Sequence, residues 1–144
     1  MKDTPFKVFF DVRDSEVDIQ GIVNHTHYPV YLAHARHRFI AEQGIDFSEY
    51  AAQGLHVVLL SCQLNFKQSL KPNDQFYVTC CLHPHSSSFK CVFYQEIRLK
   101  KDNQLMLTGT LVATCVNTQA KNRKARFLLP PALCQLKNSG SVTP

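Results

Sequence analysis

The stretch Tyr28-Pro29-Val30-Tyr31-Leu32-Ala33-His34-Ala35-Arg36-His37-Arg38-Phe39 decides how the rest of the chain is read. Tyr28, Tyr31, Leu32, Ala35 and Phe39 recur at helical spacing, which puts them on one face of an α-helix. Pro29 suits a first helical position and Gly44 a C-terminal stop, so the spacing predicts a helix of about four turns. It is the one long helix in the sequence. A short second helix is expected over Phe47 to Gln53, closed by Gly54.

On either side of this block the period is that of β-structure. Phe6 to Arg13 is a short run rich in Phe and Val, followed by a polar, acidic stretch from Asp14 to Gly21. After Gly54, Leu55 to Cys62 is almost continuously apolar, the pattern of a strand buried on both faces. Leu70-Lys71-Pro72-Asn73-Asp74 reads as a turn. Phe76, Val78, Cys80 and Leu82 then alternate with Tyr77, Thr79, Cys81 and His83. Further strands are expected from Phe89 to Leu99 and from Leu105 to Val116. The tail holds a basic loop and a short helix after Pro130-Pro131. This order predicts an α+β fold in which an antiparallel sheet packs on one long helix. Several strands are apolar on both faces, more than one helix covers, so self-association through the sheet is expected.

At 144 residues the chain is one domain's worth, with a core over about 6–116 and a basic loop and tail over 117–144. A chain this long buries a core without disulfide staples. Its six cysteines include no C-x-x-C pair, and adjacent Cys80 and Cys81 point to opposite faces of a strand, so they cannot share a metal. They read as small buried hydrophobes in a reducing compartment. Sixteen Lys plus Arg against eleven Asp plus Glu give +5, compatible with an anionic ligand but too weak to argue for nucleic acid. No apolar run approaches the ~18 residues of a membrane span. Lys7 and Asp11 interrupt the apolar residues near the start, so no signal-peptide core is expected and the location is read as cytoplasmic.

The candidate chemistry collects before the long helix. Asp14, Glu16 and Asp18, with Asp11 farther off, lie beside the histidine pair His25 and His27. A helix start offers free N–H groups and partial positive charge, so it polarises carbonyls and holds anions. A carboxylate facing it can attack an acyl carbon, or activate water against it, while the amides stabilise the oxygen. Asp14 and Glu16 read more simply as a solvated turn. For Asp18 the turn and the catalytic reading both stand on spacing alone. His34 and His37 are three apart on the helix, yet H-E-x-x-H is absent and no cysteine sits at ligand spacing, so no metal site is expected. His83-Pro84-His85 reads as a turn. Lys121-Asn122-Arg123-Lys124-Ala125-Arg126 carries four positive charges in six residues, either a solvated loop or an anion contact.

Val17-Asp18-Ile19-Gln20-Gly21-Ile22-Val23-Asn24-His25-Thr26-His27-Tyr28, with Tyr31 and Ala35-Arg36 after it, resembles the signature of hotdog-fold acyl-CoA thioesterases of the 4-hydroxybenzoyl-CoA thioesterase family. Asp18-x-x-Gly21 alone is a weak motif. Joined to Tyr28, Ala35-Arg36, Gly54-Leu55, Asn65-Phe66 and Leu70-Lys71-Pro72-Asn73-Asp74 it is strong, and the likeness covers roughly Phe6 to Val116. The resemblance implies a sheet wrapped around a central helix, homodimers or homotetramers, and a site at the dimer interface. It implies Asp18 as nucleophile or general base, the His25 amide as a carbonyl donor, and the His25 side chain as an aid to proton transfer or to orienting the thioester; read without the resemblance, that side chain only shapes the helix start. It further implies Tyr28 as structural or pocket-lining and Arg36 as a structural residue paired with a carboxylate. Gln20 stands where a small residue is common and His27 is unusual there, departures that bear on substrate choice more than on the reaction.

The function expected is hydrolysis of an acyl-CoA to free acid and CoA, with coenzyme A part of the substrate and no separate cofactor. Arg123 and Lys124 are expected at the CoA phosphates, and Leu59, with Phe39, Val57 and Leu60, at the acyl chain. Acyl-carrier-protein thioesters are a second substrate class, because a basic rim attracts acidic proteins too. A non-catalytic acyl-CoA-binding module is the alternative outside enzymology. The paired Asp and His motif of a hydratase is not found, nor the aromatic-basic interleaving of a nucleic-acid binder.

Overall fold

The computed structural model describes residues 5–122 and 126–138. Strand β1 (Lys7–Asp11) leads through two single 3-10 turns, Asp14–Glu16 and His25–His27, into helix α1 (Tyr28–Glu42) and the short α2 (Phe47–Ala52). Then follow β2 (Leu55–Phe66), β3 (Gln75–Thr79), β4 (Cys81–His83), β5 (Cys91–Leu99), β6 (Leu105–Asn117) and helix α3 (Pro131–Asn138). All pairings are antiparallel, in the order β1-β3-β5-β6-β2, with β4 also on β5. The expected α+β architecture, a sheet against one long helix, is what the chain forms.

The helix limits follow from local chemistry. Pro29 opens α1, and Gly44, at φ +80°, donates its N–H to Ala41 O at 3.0 Å to close it. Asp46 caps α2 by accepting from Ser48 N at 2.7 Å. Gly54 ends α2 at φ +81°, and a Cβ there would lie 2.7 Å from Thr118 Oγ1. The face of α1 read from the sequence is the buried one: Tyr28, Tyr31, Leu32, Ala35 and Phe39, with Ile40, pack toward Phe76, Ile97, Leu107 and Leu111. Each large side chain buried there contributes roughly 1.5–3 kcal/mol.

The alternating run from Phe76 to Leu82 is split at Cys80 into β3 and β4, which keep one register against β5. At the break, Thr79 Oγ1 accepts the Glu96 amide at 3.0 Å, a side chain standing in for a ladder carbonyl. Beside it Gln95 is fully buried, donating to Leu32 O at 3.0 Å and accepting from Arg36 Nη1 at 3.1 Å. Arg36 therefore meets an amide rather than the carboxylate expected of it, because Gln95 is the polar side chain that β5 presents under α1. Burial pulls the Arg36 pKa below its usual value. Gln95→Leu leaves this guanidinium without its partner. It is expected to lower unfolding free energy by about 2–3 kcal/mol in equilibrium urea titration, whereas native stability would show the contact to be dispensable.

One expectation is not met within the chain itself. Among the described residues β2 is the edge of the sheet, pairing with β6 alone. Val58, Leu59, Leu60 and Phe66 are 41–56% exposed. The register shifts between Leu59 and Ser61, so Leu60 is an extra, bulged residue. The bulge leaves Leu59 opposite Ala113, Cys62 opposite Leu111 and Leu64 opposite Gly109. Leu111 and Ala113 belong to the core, so these residues line the helix side of the sheet. A continuous apolar run reads the same whether its own chain or another covers it. Here its own chain does not.

All six cysteines are free: Cys80, Cys81, Cys91 and Cys115 are buried as expected, while Cys62 on β2 is exposed. Among the described residues no helix is long and apolar enough to cross a membrane.

Candidate active site

The acidic loop is folded back by its own backbone. Asp18 N donates to Ile22 O at 2.9 Å, Gly21 N to Asp18 O at 3.0 Å, and Val17 bridges Val23. Gly21 sits at φ +78°, which explains why this turn holds a glycine. Val23 N is tied to Leu70 O at 2.9 Å and Asn24 N to Glu16 O at 3.1 Å, so the loop is fastened to both neighbouring segments.

Asp18 is half-buried, and both carboxylate oxygens accept hydrogen bonds. Oδ1 takes the Gln20 amide at 2.8 Å and Oδ2 takes Asn24 Nδ2 at 3.4 Å. Asn24 Oδ1 in turn accepts from Thr26 N at 3.0 Å and Thr26 Oγ1 at 2.7 Å, capping the turn that feeds α1. Among the described residues the next amide, that of His25, has no acceptor. The result is a carboxylate held beside an unpaired main-chain donor at the start of the long helix. No lysine or arginine among the described residues lies within ion-pair distance of it.

Tyr28 lies beneath this pair, 2% exposed, its hydroxyl accepting the Leu70 amide at 3.0 Å and its ring edge-on to Phe66 with centroids 5.2 Å apart. Burial raises the pKa of its hydroxyl, opposed by the Leu70 hydrogen bond and helped by Asp74 and Asp18. It remains a phenol and a brace. The His25 side chain is exposed. Ile19, next in sequence to Asp18, is fully exposed, and Phe66, against Tyr28, is 51% exposed.

Asp18, the His25 amide and Tyr28 thus come together at one end of β2. Leu59 lies farther along that strand on its helix side, with Val57 half-buried beside it. Leu60 occupies the bulge, and Phe39 is buried in the core, its ring edge-on to Phe6. Arg123 and Lys124 fall outside the described residues. Their neighbours Lys121, Asn122 and Arg126 are exposed and follow β6, whose end pairs with the Leu55 end of β2, opposite Asp18. His34 and His37 rest edge-on against Phe10 and Phe47, and burial lowers the pKa of His37. Among the described residues no group of three His, Cys, Asp or Glu is placed to hold a metal. Asn24 was missed in the sequence reading. Its signal was an asparagine two residues before Thr26, just ahead of a proline-started helix, the composition of an N-cap.

Residues 12–135 match the model of the thioesterase-like superfamily. A relative described as a putative esterase of Aquifex aeolicus is 35% identical over 103 residues, covering 69% of this chain and 80% of the relative. A chloroplastic acyl-acyl carrier protein thioesterase of Arabidopsis thaliana is 30% identical over 98 residues; the match covers 68% of this chain and only 50% of that protein. Among solved structures, a hypothetical protein of Aquifex aeolicus superposes with a TM-score of 0.73 at 27% identity, covering 84% of this chain and 96% of its own. A Staphylococcus aureus protein solved in complex with CoA reaches a TM-score of 0.82 at 15% identity over 100% of this chain and 90% of its own, a likeness of fold. With the signature on its loop, a sheet on one long helix and these matches, the chain belongs to the thioesterase-like superfamily, a family of thioester hydrolases of hotdog fold.

Proposed function

We propose that this chain is a cytoplasmic acyl-CoA thioesterase of the 4-hydroxybenzoyl-CoA thioesterase kind, with Asp18 as its reacting carboxylate. The observation that carries the reading is the pairing of that carboxylate, held by two donors, with the free His25 amide. A thioester whose carbonyl oxygen accepts from this amide turns its carbon toward Asp18. Asp18 then either attacks the carbon, expelling the thiolate and leaving an anhydride for water to cleave, or takes a proton from the water that attacks. Both routes consume one water and release acid and thiol. A backbone donor aimed at a developing oxyanion is worth about 2.7–4 kcal/mol in known enzymes.

The working unit is a homodimer, or a pair of dimers, closed across β2. The edge strand exposes Val58, Leu59, Leu60 and Phe66 beside unpaired backbone groups. Two copies related by a two-fold axis pair such an edge antiparallel. The Leu55 end of one β2 then meets the Phe66 end of the other, bringing Lys121 and Arg126 of one copy toward Asp18 of its partner. Basic side chains there suit the phosphates of coenzyme A, and Arg123 and Lys124 belong to the same segment.

Free-thiol release from a panel of acyl-CoAs, aliphatic from short to long and aromatic, tests the reading. Turnover of at least one class is expected. Release from acyl-carrier-protein thioesters alone would favour the second substrate class, which the plant relatives support. Binding of acyl-CoA without any release would replace the enzyme with a binding module.

A further inference from the structure

We infer that Asn24 is the positioning residue of this site, fixing the reacting carboxylate relative to the amide that receives the carbonyl oxygen. The inference rests on the assignment of Asp18 as that carboxylate. Asn24 has two ends with different chemistry, and the structure uses both. Its Oδ1 is committed to Thr26 N at 3.0 Å and Thr26 Oγ1 at 2.7 Å, both donors. The other end must then be the NH2 group, and it faces Asp18 Oδ2 at 3.4 Å. One planar amide thus spans from the carboxylate to the first turn of the helix.

Between Asn24 and Thr26 stands His25, whose own amide is unpaired. The Asn24 backbone is also fixed, its N–H on Glu16 O at 3.1 Å and its carbonyl accepting His27 N at 3.0 Å. Rotation of the Asn24 side chain would therefore release Asp18 Oδ2 and the Thr26 amide together. Asp18 Oδ1 is held separately by the Gln20 amide at 2.8 Å, an anchor within its own turn. Only the Oδ2 contact ties the carboxylate to the helix. Catalysis between a carboxylate and a separate oxyanion donor depends on that spacing, and a displacement of about 1 Å costs orders of magnitude in rate.

Two variants separate aiming from capping. Serine is a good N-cap, so Asn24→Ser keeps an acceptor for Thr26 N and loses the donor to Asp18. Asn24→Asp also keeps the cap and sets a second carboxylate against the first. With the fastest acyl-CoA of the panel, kcat is expected to fall about 10-fold for Asn24→Ser and about 100-fold for Asn24→Asp, with KM and melting temperature near native. In an Asp18→Asn background, Asn24→Ser is expected to add no further loss, because the group it aims is already gone. If Asn24→Ser retains native kcat while Asp18→Asn is inactive, the positioning role is overturned and Asp18 stands. Losses that simply add in the double variant, with a lowered melting temperature, would reduce Asn24 to a cap. If Asp18→Asn itself turns over at the native rate, or no acyl-CoA is hydrolysed, the assignment of Asp18 falls and takes this inference with it.

Discussion

Asp18→Asn is expected to lower kcat by about 10³-fold while leaving the fold, the assembly and acyl-CoA affinity in place. The substitution is isosteric. Asparagine still offers an oxygen to the Gln20 amide, so the loop that Asp18 anchors at 2.8 Å keeps its turn. What disappears is the ability to form a bond to carbon or to accept a proton from water, together with the acceptor for Asn24 Nδ2, whose place an amide nitrogen takes. Positioned general bases contribute about 10²–10⁴-fold, and the residual rate would come from the carbonyl donor and from binding. His25→Ala provides the contrast. The His25 side chain is exposed, whereas its amide is the group beside the carboxylate, and alanine keeps that amide. A loss of less than 10-fold is expected there; a loss equal to that of Asp18→Asn would move proton transfer onto the imidazole. An Asp18→Asn enzyme with native turnover would remove the carboxylate from the chemistry.

The parts of this molecule legible in its sequence are those decided within a few residues. Tyr28, Tyr31, Leu32, Ala35 and Phe39 mark the buried face of α1 because helical periodicity is local, and Pro29 and Gly44 bound it for steric reasons that need no partner. Asp18 with Gly21 was legible for the same reason, since one turn contains both. Relations set by strand order were not. Arg36 and Gln95 are 59 positions apart, and nothing near Arg36 announces that an amide rather than a carboxylate will meet it. The residues from Leu55 to Cys62 read as a strand buried on both faces because hydrophobicity records that a surface is to be covered, not by which chain. Asn24 fell between the two cases: the cap was local, but its hold on Asp18 crosses a turn that spacing alone does not close.

The uncovered edge yields the second large effect. Val58→Lys with Leu60→Lys is expected to give a folded monomer at the 16.4 kDa chain mass, with kcat/KM at least about 100-fold below native, where the native chain elutes at two or four times that mass. Lysine on an edge strand opposes pairing with another edge, and a two-fold contact brings every introduced charge into the interface twice. Neither position touches the reacting groups. Val58 lies on the sheet face away from α1, opposite Thr114, and Leu60 is the bulged residue without a partner on β6. Leu59, on the helix side of the strand, stays in place. Activity is expected to be lost in the monomer because one chain would leave the site unfinished: Ile19, next to Asp18, and Phe66, packed on Tyr28, are exposed, so neither water exclusion nor an acyl wall is complete. The basic segment of the same chain is also a strand's length away, since β2 has 12 residues and spans about 40 Å. Antiparallel pairing, as proposed, would remove both deficits at once. A variant that is monomeric by sizing yet retains native kcat/KM would show that one chain suffices, and a native protein that elutes as a monomer would remove the shared site altogether.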